Sequence, residues 1–167
     1  MIFVDTSGWL ALADAHDRDH ARARALEPRI ARGEFGKQVT TNYVLTETVT
    51  ILRRRMGLPV AVRFARGLTS SEEVRVFWIE PVHHREAMQF METHADKTWS
   101  LTDCSSFVVM KGLGIENAFA LDNDFAQAGF RVYPHEGRRG ATSARGHLHP
   151  PGLHVQAGTQ VFLERRD

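Results

Sequence analysis

Ile2-Phe3-Val4-Asp5-Thr6-Ser7 is the stretch that decides how this chain is read. Three apolar residues without polar alternation suit a strand buried on both faces, as in a parallel sheet covered by helices. Asp5-Thr6-Ser7 then turns the chain from strand into helix. Thr6 or Ser7 is the expected N-cap of a helix over 7–13. An acid so placed stands at the carboxyl end of a strand, the edge where open α/β sheets bind ligands.

The same alternation continues downstream. Strands are predicted over 37–40, 74–79, 118–121 and 131–133. Between them, helices are predicted over 19–31, ended by Gly33, and from Thr41 or Asn42 to about Met56, ended by Gly57. Further helices start at Pro59, running to about 66, and at Pro81, carrying 83–95. The last starts with Thr102 as cap and runs to Lys111, before Gly112 and Gly114. Strands alternating with helices predict an α/β domain with a central parallel sheet covered on both faces. The domain is placed at residues 1–136. After Tyr133-Pro134, Gly, Arg, His and Pro dominate, so 137–167 is expected to be an irregular, mostly disordered C-terminal extension. Within it, only Gln160-Val161-Phe162-Leu163 suits a strand.

A chain of 167 residues, 43% of them hydrophobic, suits one domain with one core. A net charge of +1 supplies no global field for holding nucleic acid, so a polyanion needs a local basic patch or a bound metal. The single cysteine, Cys104, excludes an internal disulfide framework and fits a reducing compartment. Asp5 interrupts the first apolar run too early for a signal peptide. No run approaches the ~20 apolar residues needed to span a bilayer. A soluble, cytoplasmic chain with no membrane partner is expected.

Four acids stand out. Asp5 alone reads as a turn and helix cap. Glu47 is harder to dismiss, because on its helix it shares a stripe with Val44 and Ile51, beside the apolar face of Leu45, Thr48, Val49, Leu52 and Met56. A carboxylate among apolar neighbours needs a cation or a proton; Arg54 is one candidate partner and a metal another. Asp103 complements a helix N-terminus, and with Thr102 as cap it is left free to point elsewhere. Asp122 follows a buried strand directly. Gathered at one sheet edge, these acids would repel one another unless a divalent cation held them, which points to Mg²⁺ or Mn²⁺.

Asp122-Asn123-Asp124-Phe125 admits other readings. A calcium loop fails for want of a further oxygen ligand at Ala126 and a glycine at Gln127. A phosphatase with Asp122 as nucleophile lacks an evident lysine partner and leaves Asp5 and Glu47 unexplained. A non-catalytic RNA- or protein-binding module is the third reading.

Four segments carry a family resemblance: Ile2-Phe3-Val4-Asp5-Thr6-Ser7, Thr46-Glu47-Thr48, Leu101-Thr102-Asp103-Cys104-Ser105-Ser106-Phe107, and the stretch from Gly114 to Phe130 that contains Ala120-Leu121-Asp122-Asn123-Asp124-Phe125. In that order and spacing the chain resembles a PIN domain, more narrowly the VapC-type toxins of bacterial toxin–antitoxin pairs, over roughly residues 1–136. The resemblance implies a Rossmann-like three-layer α/β/α fold and a metal-dependent endoribonuclease. Carried over by position, it implies Asp5, Glu47, Asp103 and Asp122 as catalytic, metal-binding acids and Asp124 as an accessory ligand. Thr6 and Ser7 become candidates to orient water or a phosphate. It also implies an RNA substrate, a homodimer and a small cognate antitoxin.

Other features have plainer readings. Arg53-Arg54-Arg55, with Arg63 and Arg66, suits either RNA phosphates or cations at a helix C-terminus. The nine histidines, His147, His149 and His154 among them, are too scattered for a metal motif. Trp9, Trp78 and Trp99 are expected in the core or an interface. Cys104 is expected as a small buried helix residue.

Overall fold

Ile2, Phe3 and Val4 form strand β1 (Ile2–Val4), and none of them is exposed. Successive strand side chains point to opposite faces, so the sheet is covered on both sides here. The remaining strands are β2 (Gln38–Thr41), β3 (Val74–Phe77), β4 (Asn117–Phe119) and β5 (Arg131–Tyr133). They form one five-stranded sheet in the order β3-β2-β1-β4-β5, every neighbouring pair parallel. The structure, a computed structural model, describes residues 1–134. The expected extension at 137–167, with its one strand-like patch and its histidines, lies outside the described residues.

The chain runs from β1 to β2 and β3 on one side, then returns across β1 to β4 and β5. Its direction reverses between β1 and β4. At such a switch point the flanking connections leave in opposite directions and open a crevice beyond the carboxyl ends of the strands.

The helices are α1 (Thr6–Ala13), α2 (His20–Arg24), α3 (Glu27–Ala31), α4 (Asn42–Met56), α5 (Leu58–Ser70), α6 (Pro81–Thr93), α7 (Leu101–Gly112) and α8 (Asp124–Gln127). One continuous helix over 19–31 does not form. Pro28 in mid-helix would remove a hydrogen bond and push its ring at the carbonyl of Arg24, so the chain breaks at Ala25-Leu26 and Pro28 enters the first turn of α3. α5 outruns its expected end near 66, because Ala61, Phe64 and Leu68 extend one buried stripe. α4 is as expected, with Thr41 as cap accepting the Val44 N–H and Gly57 beyond its end at φ 88°.

An aromatic cluster seats α7 near the switch point. The Phe107 ring meets those of Phe90, Trp99, Phe125 and Phe130, and Phe125 stacks on Phe3 of β1. Trp9 and Trp99 are buried as expected. Trp78 is not: 65% of it is exposed, because it leaves the edge strand β3 with no further strand to cover it. Among the described residues, no helix is long and apolar enough to cross a membrane.

Candidate active site

Asp5, rather than Thr6 or Ser7, caps α1. Its Oδ2 accepts the Ser7 N–H at 2.9 Å and the Ser7 hydroxyl at 2.7 Å. Its own N–H donates to the Phe119 carbonyl at 3.0 Å, so the register with β4 continues one residue past β1. The Ser7 oxygen also accepts the Leu121 N–H at 3.0 Å. One hydroxyl thus ties Asp5 to the segment that carries Asp122.

Glu47 lies half-buried on α4, flanking the buried stripe of Val44, Thr48 and Leu52. The Thr6 hydroxyl donates to its Oε2 at 2.6 Å. Thr6 and Ser7 thus give their protons to Glu47 and Asp5, and each orients a carboxylate. No pairing with Arg54 forms. α4 starts at the carboxyl edge of β2 and runs away from it, which carries Arg53, Arg54 and Arg55 about 9–12 Å along the axis from Glu47. They are exposed at the far end, where cations suit the helix C-terminus.

Asp103 is not free in the way the sequence suggested, because Ser100 and not Thr102 caps α7. Ser100 Oγ accepts the Asp103 N–H at 3.1 Å, while Asp103 Oδ2 accepts the Ser100 N–H at 2.8 Å and its hydroxyl at 2.7 Å. This reciprocal capping box was legible as Ser-x-x-Asp at 100–103. Asp122 is exposed in the turn after β4, and its Oδ1 accepts the Asp124 N–H at 3.1 Å. Beside Asp124, the buried indole N–H of Trp99 favours the charged carboxylate without closing a hydrogen bond. Nothing along the chain marks that neighbour, since rings and carboxylates of separate elements meet only in the fold.

The acids feel one another. Burial pushes the Asp5 carboxyl up to about 7, the charge of Asp122 adds to this, the Ser7 hydrogen bonds oppose it, and Asp103 contributes a further push. Burial also raises Asp103, against the hydrogen bonds from Ser100, with Asp122 adding to the rise. Asp124 is raised by burial, then by Asp122 and Asp103. Among the described residues, no basic side chain forms an ion pair with Asp5, Glu47, Asp103, Asp122 or Asp124. The missing cation includes the lysine that a phosphatase built on Asp122 would need.

The donor set fits a hard divalent cation. It offers oxygen ligands only, its charges repel one another, and no arginine or lysine neutralises them. Among the described residues no three His, Cys, Asp or Glu side chains stand together as a group placed to hold a metal ion. Mg²⁺ does not require three, since it keeps several waters and binds through one or two carboxylates. Cys104 takes no part. It is fully buried, and burial with the charge of Asp103 pushes its thiol up to about 11.

The family model for the PIN domain matches residues 2–131. The chain belongs to the PIN-domain family. Its relatives place it with the VapC type. It is 40% identical over 133 residues to the 23S rRNA-specific endonuclease VapC20 of Mycobacterium tuberculosis, covering 78% of this chain and 95% of that protein. It is 28% identical over 117 residues to a VapC ribonuclease of Archaeoglobus fulgidus, covering 68% of this chain and 72% of the relative. The crystal structure of M. tuberculosis VapC20, described as a sarcin–ricin loop cleaving toxin, superposes with a TM-score of 0.72 at 38% identity, over 78% of this chain and 96% of that one. In this PIN domain the central parallel sheet and the strand-end position of Asp5 agree with the sequence reading.

Proposed function

We propose that this PIN domain is a Mg²⁺- or Mn²⁺-dependent endoribonuclease, the toxin of a type II toxin–antitoxin pair. The observation that carries the reading is the electrostatic coupling of Asp5, Asp103, Asp122 and Asp124 at one sheet edge, with no basic partner among the described residues. Asp5, Glu47, Asp103 and Asp122 would hold the cation, with Asp124 as accessory ligand. When bound, such an ion polarises a phosphoryl oxygen and lowers the pKa of a coordinated water.

The chain's own residues prepare that site. Ser7 turns the Asp5 carboxylate, Thr6 turns Glu47 and Ser100 turns Asp103, each through a hydroxyl donor. Each carboxylate meets the ion already oriented, so little ordering remains at the moment of reaction. Burial of Asp5 strengthens every charge interaction around it. With their hydroxyl protons given to Glu47 and Asp5, Thr6 and Ser7 would act on a water or phosphate through the carboxylates they orient.

The substrate we propose is the sarcin–ricin loop of 23S rRNA, on the strength of the 40% identity to VapC20 across nearly all of that protein. The nuclease occupies residues 1–136, works in the cytoplasm as a homodimer and is silenced by a small cognate antitoxin. The test is cleavage of a sarcin–ricin loop RNA by purified protein with Mg²⁺, with Mn²⁺ and with chelator. Cleavage is expected only with metal, and Asp5→Asn and Asp103→Asn are expected to abolish it. Normal cutting by either variant would overturn the site.

A further inference from the structure

Beside the acids, the carboxyl edge of the sheet carries a second group of side chains that the chemistry above does not use. Thr41 pairs with Phe77 across β2 and β3, so Asn42-Tyr43 and Trp78-Ile79 leave the edge side by side. The Ile79 N–H donates to Asn42 Oδ1 at 2.8 Å, and the Phe77 ring meets His83 edge-on with centroids 5.0 Å apart. Trp78 is held between these two anchored neighbours, yet its indole faces solvent.

The Tyr43 hydroxyl and His84 Nδ1 lie 2.9 Å apart and join α4 to α6. Tyr43 precedes Glu47 by four residues on α4, which makes the two neighbours on the helix surface. The aromatic group and the acidic group therefore share one edge.

The setting favours RNA over a second copy of the chain. A stable subunit interface needs about 800 Å² of well-packed surface per partner. Along the chain on either side of Trp78, the side chains of Glu73, Arg75, Glu80, Arg85 and Glu86 are exposed and charged, with Val82 as one exposed apolar side chain. A flat π face beside a hydrogen-bonding Tyr–His pair suits an unpaired base, the part of RNA that proteins read by stacking and edge contacts.

We propose that Trp78 and the Tyr43–His84 pair form the substrate wall beside Glu47, where an unpaired base near the cleaved bond stacks on the Trp78 indole and the Tyr43–His84 pair hydrogen-bonds its edge or the adjoining phosphate. This rests on the ribonuclease reading above. The test uses the full chain, inactivated by Asp5→Asn, with two fluorescent probes: a sarcin–ricin loop hairpin and an unstructured RNA 12-mer. Trp78→Ala is expected to weaken binding about 5- to 100-fold. Trp78→Phe should restore most of it, and Tyr43→Phe should weaken it about 3- to 10-fold. In the active chain, Trp78→Ala should raise KM with kcat nearly unchanged, the mark of lost uniform binding. RNA should also quench a tryptophan signal that Trp78→Phe lacks.

Equal RNA affinity in Trp78→Ala would overturn the wall, as would a sedimentation coefficient that falls from the parent's, which would assign this face to a second copy. If neither probe binds the parent chain, the ribonuclease reading itself falls. If the probes bind and the variants match the parent, only the wall falls.

Discussion

The Thr6 hydroxyl donates to Glu47 Oε2 across 2.6 Å, joining the β1–α1 turn to the middle of α4 over 41 residues of sequence. Thr6→Val keeps the shape and removes the donor. A hydrogen bond to a charged group contributes about 1.5 kcal/mol at the lower end of its range, so cleavage is expected to fall about ten-fold. Thr6→Ser should recover most of it. Single-turnover cleavage measures this, and a Thr6→Val chain cutting at the parent rate would detach Thr6 from the site.

Asp5 makes stability depend on pH. Its carboxyl titrates near 3.8 when free and at about 7 in the fold. Between those values the folded chain keeps a proton that the unfolded chain has released. The contribution of Asp5 to stability is therefore fully present below pH 4, falls as pH rises towards 7 and levels off above, by a few kcal/mol. Melting of the metal-free protein from pH 4 to 8 should show this slope, and Asp5→Asn should flatten it. An unchanged slope in Asp5→Asn would contradict the assignment. Mg²⁺ should raise Tm more at pH 8 than at pH 5.5, because ligation requires the ionised carboxylate.

Gly8 sits in α1, where alanine would ordinarily be about 1 kcal/mol better than glycine. Here a Cβ would lie 2.8 Å from the Phe119 carbonyl oxygen and 3.1 Å from its ring. α1 would have to lift from β4, so Gly8→Ala is expected to destabilise by about 1–3 kcal/mol. Urea denaturation decides the sign, and a more stable variant would refute the close packing of α1 on β4.

Ser100→Ala removes a helix cap at a cost of about 1 kcal/mol. It also leaves Asp103 Oδ2 with the Ser100 N–H as its one remaining partner of the two. Cleavage should fall further than this modest loss of stability explains, with the Mg²⁺ concentration for half-maximal rate rising. A variant losing stability alone would reduce Ser100 to a cap.

Most of the frame was legible because its signals are local. The unalternating run of β1, Gly57 after α4 and the prolines opening α5 and α6 speak through backbone dihedrals and side-chain periods within a few residues. Even the capping box at 100–103 was written locally, though Thr102 drew the reading away from Ser100. Pro28 was an equally local mark of the break between α2 and α3, which the reading of one helix over 19–31 passed over.

The sequence by itself determined a parallel α/β sheet and put Asp5 at a strand end, since burial pattern and turn chemistry act over short spans. Asp122 lies in the turn beyond β4, which ends at Phe119 rather than at Leu121. Only the tertiary structure decided that Thr6 and Ser7 steer Glu47 and Asp5, that Trp78 faces solvent while Trp9 and Trp99 do not, and that Gly8 must remain small. Those outcomes depend on which distant elements pack together, and a side chain's partner across such a contact leaves no trace in its own neighbours along the chain.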